Sequence, residues 1–139
     1  MTQWILLAVL LLTATAFGVY RQKTDGKAKV VDTREMIAAT DINEELGERA
    51  TLLQFSSAFC APCRATRVVL SKTAEALPGV KHVEIDAESH LELVRRLDIR
   101  RTPTTLILDK NGRVNNRAAG VPNGEELLAA IAATIESAN

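Results

Sequence analysis

The chain has 139 residues, enough for one domain, and its seventeen Lys and Arg residues are balanced by seventeen Asp and Glu residues. A net charge of zero argues against a nucleic-acid-binding surface as the main activity, because phosphate recognition needs an excess of positive charge. With 47% hydrophobic residues and only two cysteines, the chain is neither disordered nor a disulfide-stapled scaffold.

Residues 1–20 carry no charged side chain, and residues 4–20 are predicted to form a transmembrane helix. At about 1.5 Å per residue this helix is roughly 25 Å long, the short end of what spans a bilayer. Trp4 and Tyr20 stand at its two ends, where aromatic rings favour the headgroup level. A cleaved signal peptide is the alternative: Ala14-Thr15-Ala16 has the form of a cleavage site, but no Lys or Arg precedes Trp4.

Residues 21–47 are predicted to be a tether and lead-in to a globular domain over residues 48–139. Within them, Val30-Val31 is expected to begin a short strand, and Asp41 to cap a short turn that Gly47 ends. The positive-inside tendency places the domain in the cytoplasm, on a single-pass anchor in the cell membrane, with an extracytoplasmic domain as the alternative. The cations behind this prediction are Arg21, Lys23, Lys27 and Lys29.

The globular part begins with a strand, a helix, a strand and a second helix. Residues 51–56 form a mostly apolar run typical of a buried strand, and a helix is predicted over residues 60–77. Residues 80–86 alternate as a second strand, and Ser89 is expected to cap a helix that runs to Leu97. The positions predicted to be buried are Val68, Val69, Leu70, Ala74 and Leu77 in the first helix, and Leu91, Val94 and Leu97 in the second.

The rest of the chain is predicted to be a hairpin followed by a helix. Residues 104–108 are a β-branched strand, residues 109–112 a turn, and residues 113–119 the returning strand. Asn123 is expected to cap a helix over residues 125–136 that buries Leu127, Leu128, Ile131 and Ile135. The order β-α-β-α-β-β-α predicts an α/β fold with a mixed central sheet and helices on both faces.

Both cysteines lie in Phe59-Cys60-Ala61-Pro62-Cys63-Arg64, after a predicted strand and at the start of a predicted helix. The free N–H groups of a helix's first turn favour an anion, so the Cys60 thiol should lose its proton readily. Cys63 lies one turn later on the same face, Pro62 suits the first turn, and Arg64 adds positive charge. The motif predicts thiol–disulfide exchange, with Cys60 as the nucleophile and Cys63 as the resolving cysteine.

Other roles for this pair fit the sequence less well. A structural disulfide that closes so short a loop removes little entropy from the unfolded chain. A zinc site needs two more ligands, and the only histidines, His82 and His90, are separated by seven residues. An iron–sulfur cluster normally needs four cysteines. Two inert buried cysteines are the remaining alternative, and we expect redox chemistry that needs no metal ion and no cofactor.

Several motifs in the expected order resemble the thioredoxin family, specifically its membrane-anchored bacterial members. They are the strand Leu52-Leu53-Gln54-Phe55, the cysteine motif, the loop Arg101-Thr102-Pro103-Thr104, the hairpin turn Asp109-Lys110-Asn111-Gly112-Arg113, and Gly120. The resemblance implies the thioredoxin fold and a thiol–disulfide oxidoreductase, here expected to be a monomer. Its implied partners are protein disulfide substrates and an upstream thiol donor.

The resemblance also assigns Thr102 and Pro103 to substrate binding. It implies a cis bond at Pro103, packed beside the cysteines, with the Thr102 backbone turned toward a substrate strand. An ordinary trans proline before a strand is the alternative. Two motif positions depart from the family: Phe59 replaces the usual Trp and Ala61 the usual Gly, which changes the shape of an apolar rim.

A third departure lies at Gln54, where the family often has a buried carboxylate. An amide cannot accept the proton that Cys63 loses when it attacks. His82 falls near the family's partner lysine, so Gln54 and His82 are candidates for a proton path, with water as the alternative. In the plainer interpretation Gln54 bonds within the core and His82 is a partly exposed strand residue.

A second function from a different class is also compatible with the motif. In it, the chain is a membrane-tethered redox sensor or binding module whose Cys60–Cys63 disulfide switches its affinity for a partner without turnover. A cleaved, secreted form would keep the chemistry and change only the compartment. No nucleic-acid partner is expected.

Overall fold

The computed structural model describes residues 1–24, 26–30 and 35–139, and within them the chain forms five helices, five strands and one 3₁₀ turn. The predicted Val31 lies outside these residues. The helices are α1 (Thr2–Thr24), α2 (Ala39–Ile42), α3 (Ala61–Ala76), α4 (Leu91–Arg96) and α5 (Gly124–Ser137). The strands are β1 (Lys29–Val30), β2 (Ala50–Ser56), β3 (Val80–Asp86), β4 (Thr104–Asp109) and β5 (Val114–Ala119).

The strands form one mixed sheet in the order β1-β5-β4-β2-β3. Only β2 and β3 run parallel, joined through α3, whereas β4 and β5 form the predicted antiparallel hairpin. Strand β2 lies between β3 and β4, with Leu53 opposite Val83 on one side and Leu106 on the other. The predicted α/β fold with a mixed sheet is therefore confirmed.

Strand β2 is buried along its whole length because the sheet is covered on both faces. Alternate side chains point to opposite faces, so Leu53 and Phe55 join one core cluster while Leu52 joins the other. Helices α3 and α5 cover the Leu52 face through Leu70 and Ile131. The other face is covered by the segments around α2 and α4, whose buried residues are Ile37, Ile42, Leu93 and Leu97.

Helix α1 is longer than the predicted residues 4–20 and separate from this core. It runs for 23 residues, about 34 Å at 1.5 Å per residue, and none of them is buried. Its length and apolar composition suffice to cross a bilayer.

Two predicted helix starts are wrong by a few residues. Asp41 lies inside α2 rather than before it, and its carboxylate accepts a hydrogen bond from the Ala38 backbone N–H, so the short helix begins earlier. Ser89 lies inside the 3₁₀ turn Ala87–Ser89, where Asp86 takes the capping position and accepts from the Glu88 N–H. Asp41 thus accepts from the N–H of the N-cap residue Ala38, and Asp86 accepts from an N–H of the 3₁₀ turn. Helix α4 itself begins at Leu91, after His90, whose side chain makes no capping bond. The cap at Asn123 is confirmed.

Three residues predicted to be buried are exposed: Val68, Leu91 and Leu128. Each points away from the helix's buried stripe: Leu128 is one residue, about 100°, from Leu127, and Val68 and Leu91 are two residues, about 200°, from Leu70 and Leu93. In α3 the stripe consists of Cys63, Thr66 and Leu70. In α4 it contains Leu93, and in α5 it contains Leu127, Ile131 and Thr134. Two polar threonines thus occupy positions that a hydrophobicity pattern does not select.

The hairpin turn generates a stability prediction at Gly112. Its φ is +84°, and an added Cβ would lie 2.1 Å from the Ile37 carbonyl oxygen. We expect Gly112→Ala to lower the free energy of unfolding by about 2 kcal/mol, since a left-handed backbone alone costs a side chain about 1–2 kcal/mol. Urea unfolding of the detergent-solubilised chain, followed by circular dichroism, measures this change.

The matched control is Gly124→Ala at the start of α5, where an added Cβ meets no heavy atom within 4 Å. This variant should stay within about 0.5 kcal/mol of the wild type. Equal destabilisation by the two variants would contradict the role given to the turn.

Candidate redox site

The cysteine pair lies where β2 passes into α3. Strand β2 ends at Ser56, Cys60 is the N-cap residue of α3, and Cys63 follows in the first turn. The two residues form a disulfide with an S–S distance of 1.96 Å and a Cα–Cα distance of 5.3 Å. The Cys63 N–H donates to the Cys60 carbonyl at 3.2 Å, so the pair is held within one tight turn.

The two sulfurs differ in their access to solvent. Cys63 is only 3% exposed, whereas Cys60 is half-buried at the end of the loop. Phe59 beside it is 99% exposed, so its ring stands free next to Cys60. A large partner therefore reaches Cys60 first, and Cys63 is accessible mainly to Cys60.

The helix start also favours a negative charge at Cys60. Ala61 and Pro62 occupy the first turn, and no side chain caps its N–H groups. These groups and the helix dipole stabilise an anion at the N-cap position, which favours a thiolate at Cys60 when the pair is reduced. Arg64 is exposed one turn into the helix and adds positive charge there.

The side chain of Gln54 links β2 to Cys63. It is fully buried on the face of the sheet that α3 covers, and its Nε2 donates to the Cys63 carbonyl at 3.0 Å. The same nitrogen donates to Ser56 Oγ at 2.9 Å. Both hydrogens of the Gln54 amide are thus used. The bond to Cys63 is made with its backbone carbonyl rather than with its sulfur.

His82 completes a chain of bonds behind Gln54. Its Nε2 lies 3.0 Å from Gln54 Oε1, and its Nδ1 lies 3.1 Å from Ser71 Oγ. Because a carbonyl oxygen only accepts, the Nε2–H of His82 donates to Gln54, and Nδ1 accepts from the Ser71 hydroxyl. Each of these partners is satisfied when His82 is neutral. The structure therefore brings the two predicted proton-path residues together, and one of them, Gln54, contacts the Cys63 carbonyl.

Charge enters this network only at its outer edge. Ser56 Oγ donates to Glu84 Oε1 at 2.7 Å, and Arg67 binds both oxygens of the same carboxylate. The hydrogen bond from Arg67 lowers the pKa of Glu84. Burial lowers the pKa of His82, an effect that the charge of Glu84 partly opposes.

The Thr102–Pro103 bond is cis, as the sequence resemblance implied, and its loop lies next to the cysteine loop. Thr102 Oγ1 lies 3.0 Å from Ser57 Oγ, and the Pro103 carbonyl accepts from the Gly120 N–H at 2.9 Å. A cleft of about 450 Å³ lies beside the cis-proline loop. Its lining residues are Gln22, Pro62, Arg101, Thr102, Pro103, Gly120 and Val121.

Sequence reasoning missed Ser56, Ser71, Arg67 and Glu84 as members of the network. The parallel pairing of β2 with β3, which puts Gln54 opposite Glu84, would have indicated Glu84 once the register was known. Nothing in the sequence pattern distinguishes Ser71 or Arg67 from other polar helix residues.

Comparison with known proteins supplies independent information. A family model described as Thioredoxin matches residues 33–133. Thioredoxin H5 of Oryza sativa subsp. japonica is 30% identical over 86 residues, which cover 60% of this chain and 62% of that protein. A thioredoxin of Chlamydia trachomatis serovar D is 24% identical over 94 residues, which cover 68% of this chain and 91% of that protein.

Solved structures give the same result. Thioredoxin f from spinach chloroplast matches with a TM-score of 0.55 and 30% sequence identity, covering 63% of this chain and 72% of that one. This chain covers less than two thirds of the rice protein's length, and the apolar helix α1 lies outside the family match.

The half-buried His82 generates a prediction about pH and stability. Because burial lowers the pKa of His82 below its ordinary value near 6.5, the unfolded chain binds a proton that the folded chain resists. We expect the contribution of neutral His82 to the free energy of unfolding to be intact above about pH 6.5 and to be lost as the pH falls. The free energy of unfolding should then change by at most about 1.4 kcal/mol per pH unit.

Urea unfolding at a series of pH values between 7.5 and 5, roughly spanning the titration of histidine, tests this. His82→Gln should flatten the slope, and His90→Gln, at the histidine outside the network, should retain it. A wild-type slope that survives in His82→Gln would contradict the assignment.

Proposed function

The chain belongs to the thioredoxin family, and on that premise we propose that it is a membrane-anchored thiol–disulfide oxidoreductase acting on protein disulfides. One observation carries the proposal: a Cys60–Cys63 pair, bonded at 1.96 Å, opens a helix directly after the central strand of this fold. The difference in burial between the two cysteines supports their roles, with the accessible Cys60 as nucleophile and the buried Cys63 as resolving cysteine.

The cycle starts from the reduced pair. The Cys60 thiolate attacks one sulfur of a substrate disulfide, forms a mixed disulfide, and releases the other substrate sulfur as a thiolate that takes up a proton. Cys63 then loses its proton and attacks the Cys60 sulfur, which releases the second substrate thiol and leaves the Cys60–Cys63 disulfide. An upstream thiol donor supplies the two electrons that reduce the pair again.

Gln54 acts in this proposal as a positioning residue rather than as a proton acceptor. Its amide does not titrate near neutrality, and it holds the Cys63 carbonyl, so it fixes the helix turn that carries the resolving sulfur. His82 and Ser71 orient the amide from the other side. Water is then the carrier of the Cys63 proton.

The domain division rests on the contrast between α1 and the rest of the chain. We propose residues 1–20 as the anchor, residues 21–47 as the tether and lead-in, and residues 48–139 as the thioredoxin-like domain, with β1, Ile37 and Ile42 of the lead-in packed onto its sheet and core. Arg21 and Lys23 in the last turn of α1 support a cytoplasmic domain by the positive-inside tendency. Our assignment to membrane-anchored bacterial members of the family is supported by the apolar helix for its membrane anchor alone.

Cysteine variants test the cycle and separate it from a redox switch without turnover. Cys60→Ser should reduce the dithiothreitol-driven reduction of insulin to the uncatalysed rate, because no nucleophile remains. Cys63→Ser should accumulate a mixed disulfide between Cys60 and the substrate, visible on a non-reducing gel. Wild-type protein that switches redox state but does not turn over insulin would contradict the enzyme and favour the sensor.

Gln54→Met tests the positioning role. It keeps the volume but removes the bond to the Cys63 carbonyl, so we expect the attack of Cys63 on the mixed disulfide to slow about tenfold, equivalent to about 1.4 kcal/mol. The alkylation rate of reduced Cys60 should not change. Stopped-flow decay of a preformed mixed disulfide measures the first rate, and iodoacetamide labelling measures the second.

Thr105→Val is the matched control. Thr105 pairs with Gln54 across the sheet and is equally buried, but its hydroxyl makes no hydrogen bond within the described part of the chain. Removing that oxygen should leave both rates unchanged. If Gln54→Met resolves mixed disulfides as fast as this control, Gln54 has no positioning role.

A further inference from the structure

The cleft lined by Pro62 of the cysteine motif and by the cis-proline loop lies at the end of the domain where the apolar helix leaves it, and this placement bears on the substrate. We propose that the substrates are disulfides in membrane proteins, in segments that lie at the bilayer surface beside the anchor. The proposal rests on the proposed function above and narrows it to one class of partner.

The tether is fixed to the domain immediately after α1. The Gly26 N–H donates to the Ala119 carbonyl at 2.5 Å, and Gly26 is buried. Its φ is +81°, and an added Cβ would lie 2.0 Å from the Val121 carbonyl oxygen. Only glycine fits so close to this backbone, so the chain is held at the end of β5 two residues after α1 ends.

The end of β5 is also one wall of the cleft. Gly120 follows β5 and donates to the Pro103 carbonyl, and Val121 lines the cleft together with Pro103 and Pro62. Gln22, in the last turn of α1, lines the same cleft. The anchor, the tether and the substrate-binding loop therefore meet at one place.

This arrangement limits the distance between cleft and bilayer. The uncharged stretch ends at Tyr20, and Gln22 is two helical residues beyond it, about 3 Å along the axis. Even the six steps from Tyr20 to Gly26 span at most about 20 Å if fully extended. A domain of this size is roughly 30 Å across, so the cleft side faces the bilayer rather than the opposite side.

The surroundings of the cleft suit this position. Phe59 is 99% exposed and Val121 is 39% exposed, which places apolar surface where lipid headgroups and acyl chains begin. Arg64, Arg21 and Lys23 are exposed and cationic, which favours an anionic membrane surface. A bulky soluble substrate would have to enter between the domain and the bilayer, whereas a juxtamembrane segment is already there.

The test uses the full chain in liposomes with model substrates that carry one disulfide on a transmembrane peptide. In one substrate the disulfide lies about five residues from the apolar segment, and in the other about forty residues away on a Gly/Ser spacer. Both are held in the same membrane, so their surface concentration is equal. We expect the near disulfide to be reduced at least about tenfold faster, since each factor of ten corresponds to about 1.4 kcal/mol of relative access.

A second chain isolates the role of the tether. It carries about twenty Gly/Ser residues inserted directly after Thr24, which lets the domain move roughly 25 Å further from the bilayer. For this chain, the ratio of the reduction rate of the near disulfide to that of the far disulfide should fall to about one. In detergent it should reduce insulin as fast as the wild type. That detergent assay shows that the inserted chain is folded and active.

The outcomes are distinct. A wild-type ratio of about one, with normal insulin reduction in detergent, would overturn the substrate assignment and leave the proposed function standing. A rate ratio that stays high in the inserted chain would also overturn the substrate assignment, because the preference would then come from the model peptides and not from the position of the cleft. Absence of insulin reduction by the wild type in detergent would remove the proposed function and the substrate assignment with it.

Discussion

The hydrogen bond from the Gln54 amide to the Cys63 carbonyl joins the central strand to the first turn of the cysteine helix. A buried bond of this kind contributes about 1 kcal/mol, but leaving either buried partner without one costs about 1–3 kcal/mol. The strand is in turn held rigid by neighbours on both edges and cores on both faces. The position of Cys63 is thus fixed by its bond to a strand that is paired on both edges and packed on both faces.

An amide at this place keeps the interior of the site neutral. Gln54 is fully buried, and a carboxylate there would have to be neutralised or lose solvation energy. His82, Gln54 and Ser56 form a run of neutral donors and acceptors, and the formal charges of Glu84 and Arg67 are confined to the partly exposed end. Because no titrating group in this network contacts Cys63, proton transfer in the proposed cycle depends on water, and the network fixes the geometry of the helix turn.

The cleft connects this chemistry to the placement of the protein. Its walls come from the cis-proline loop, the turn after β5 and the last turn of α1, which are far apart in sequence. Gly26 holds the chain against that same turn, so helix α1 leaves the domain beside the cis-proline loop. In the proposed function a partner is therefore selected first by where its disulfide lies relative to the membrane, and only then by the apolar rim at Phe59 and Val121.

The order of elements, the apolar helix and the redox pair could be read from local patterns, because hydrophobic periodicity, turn residues and cysteine spacing act over a few neighbours. The errors at Asp41, Ser89 and Val68 are local too: competing caps and a threonine in a buried stripe carry no hydrophobic signal. Gln54 and His82 could be suggested as partners, but their bond depends on strand register, and the bond to Cys63 depends on how α3 packs on the sheet. The resemblance implied that Pro103 packs beside the cysteines, but the presence of Gln22 and Gly120 at the same cleft was decided by tertiary structure, because only the packing of the strands and helices brings residues so distant in the chain to one end of the sheet.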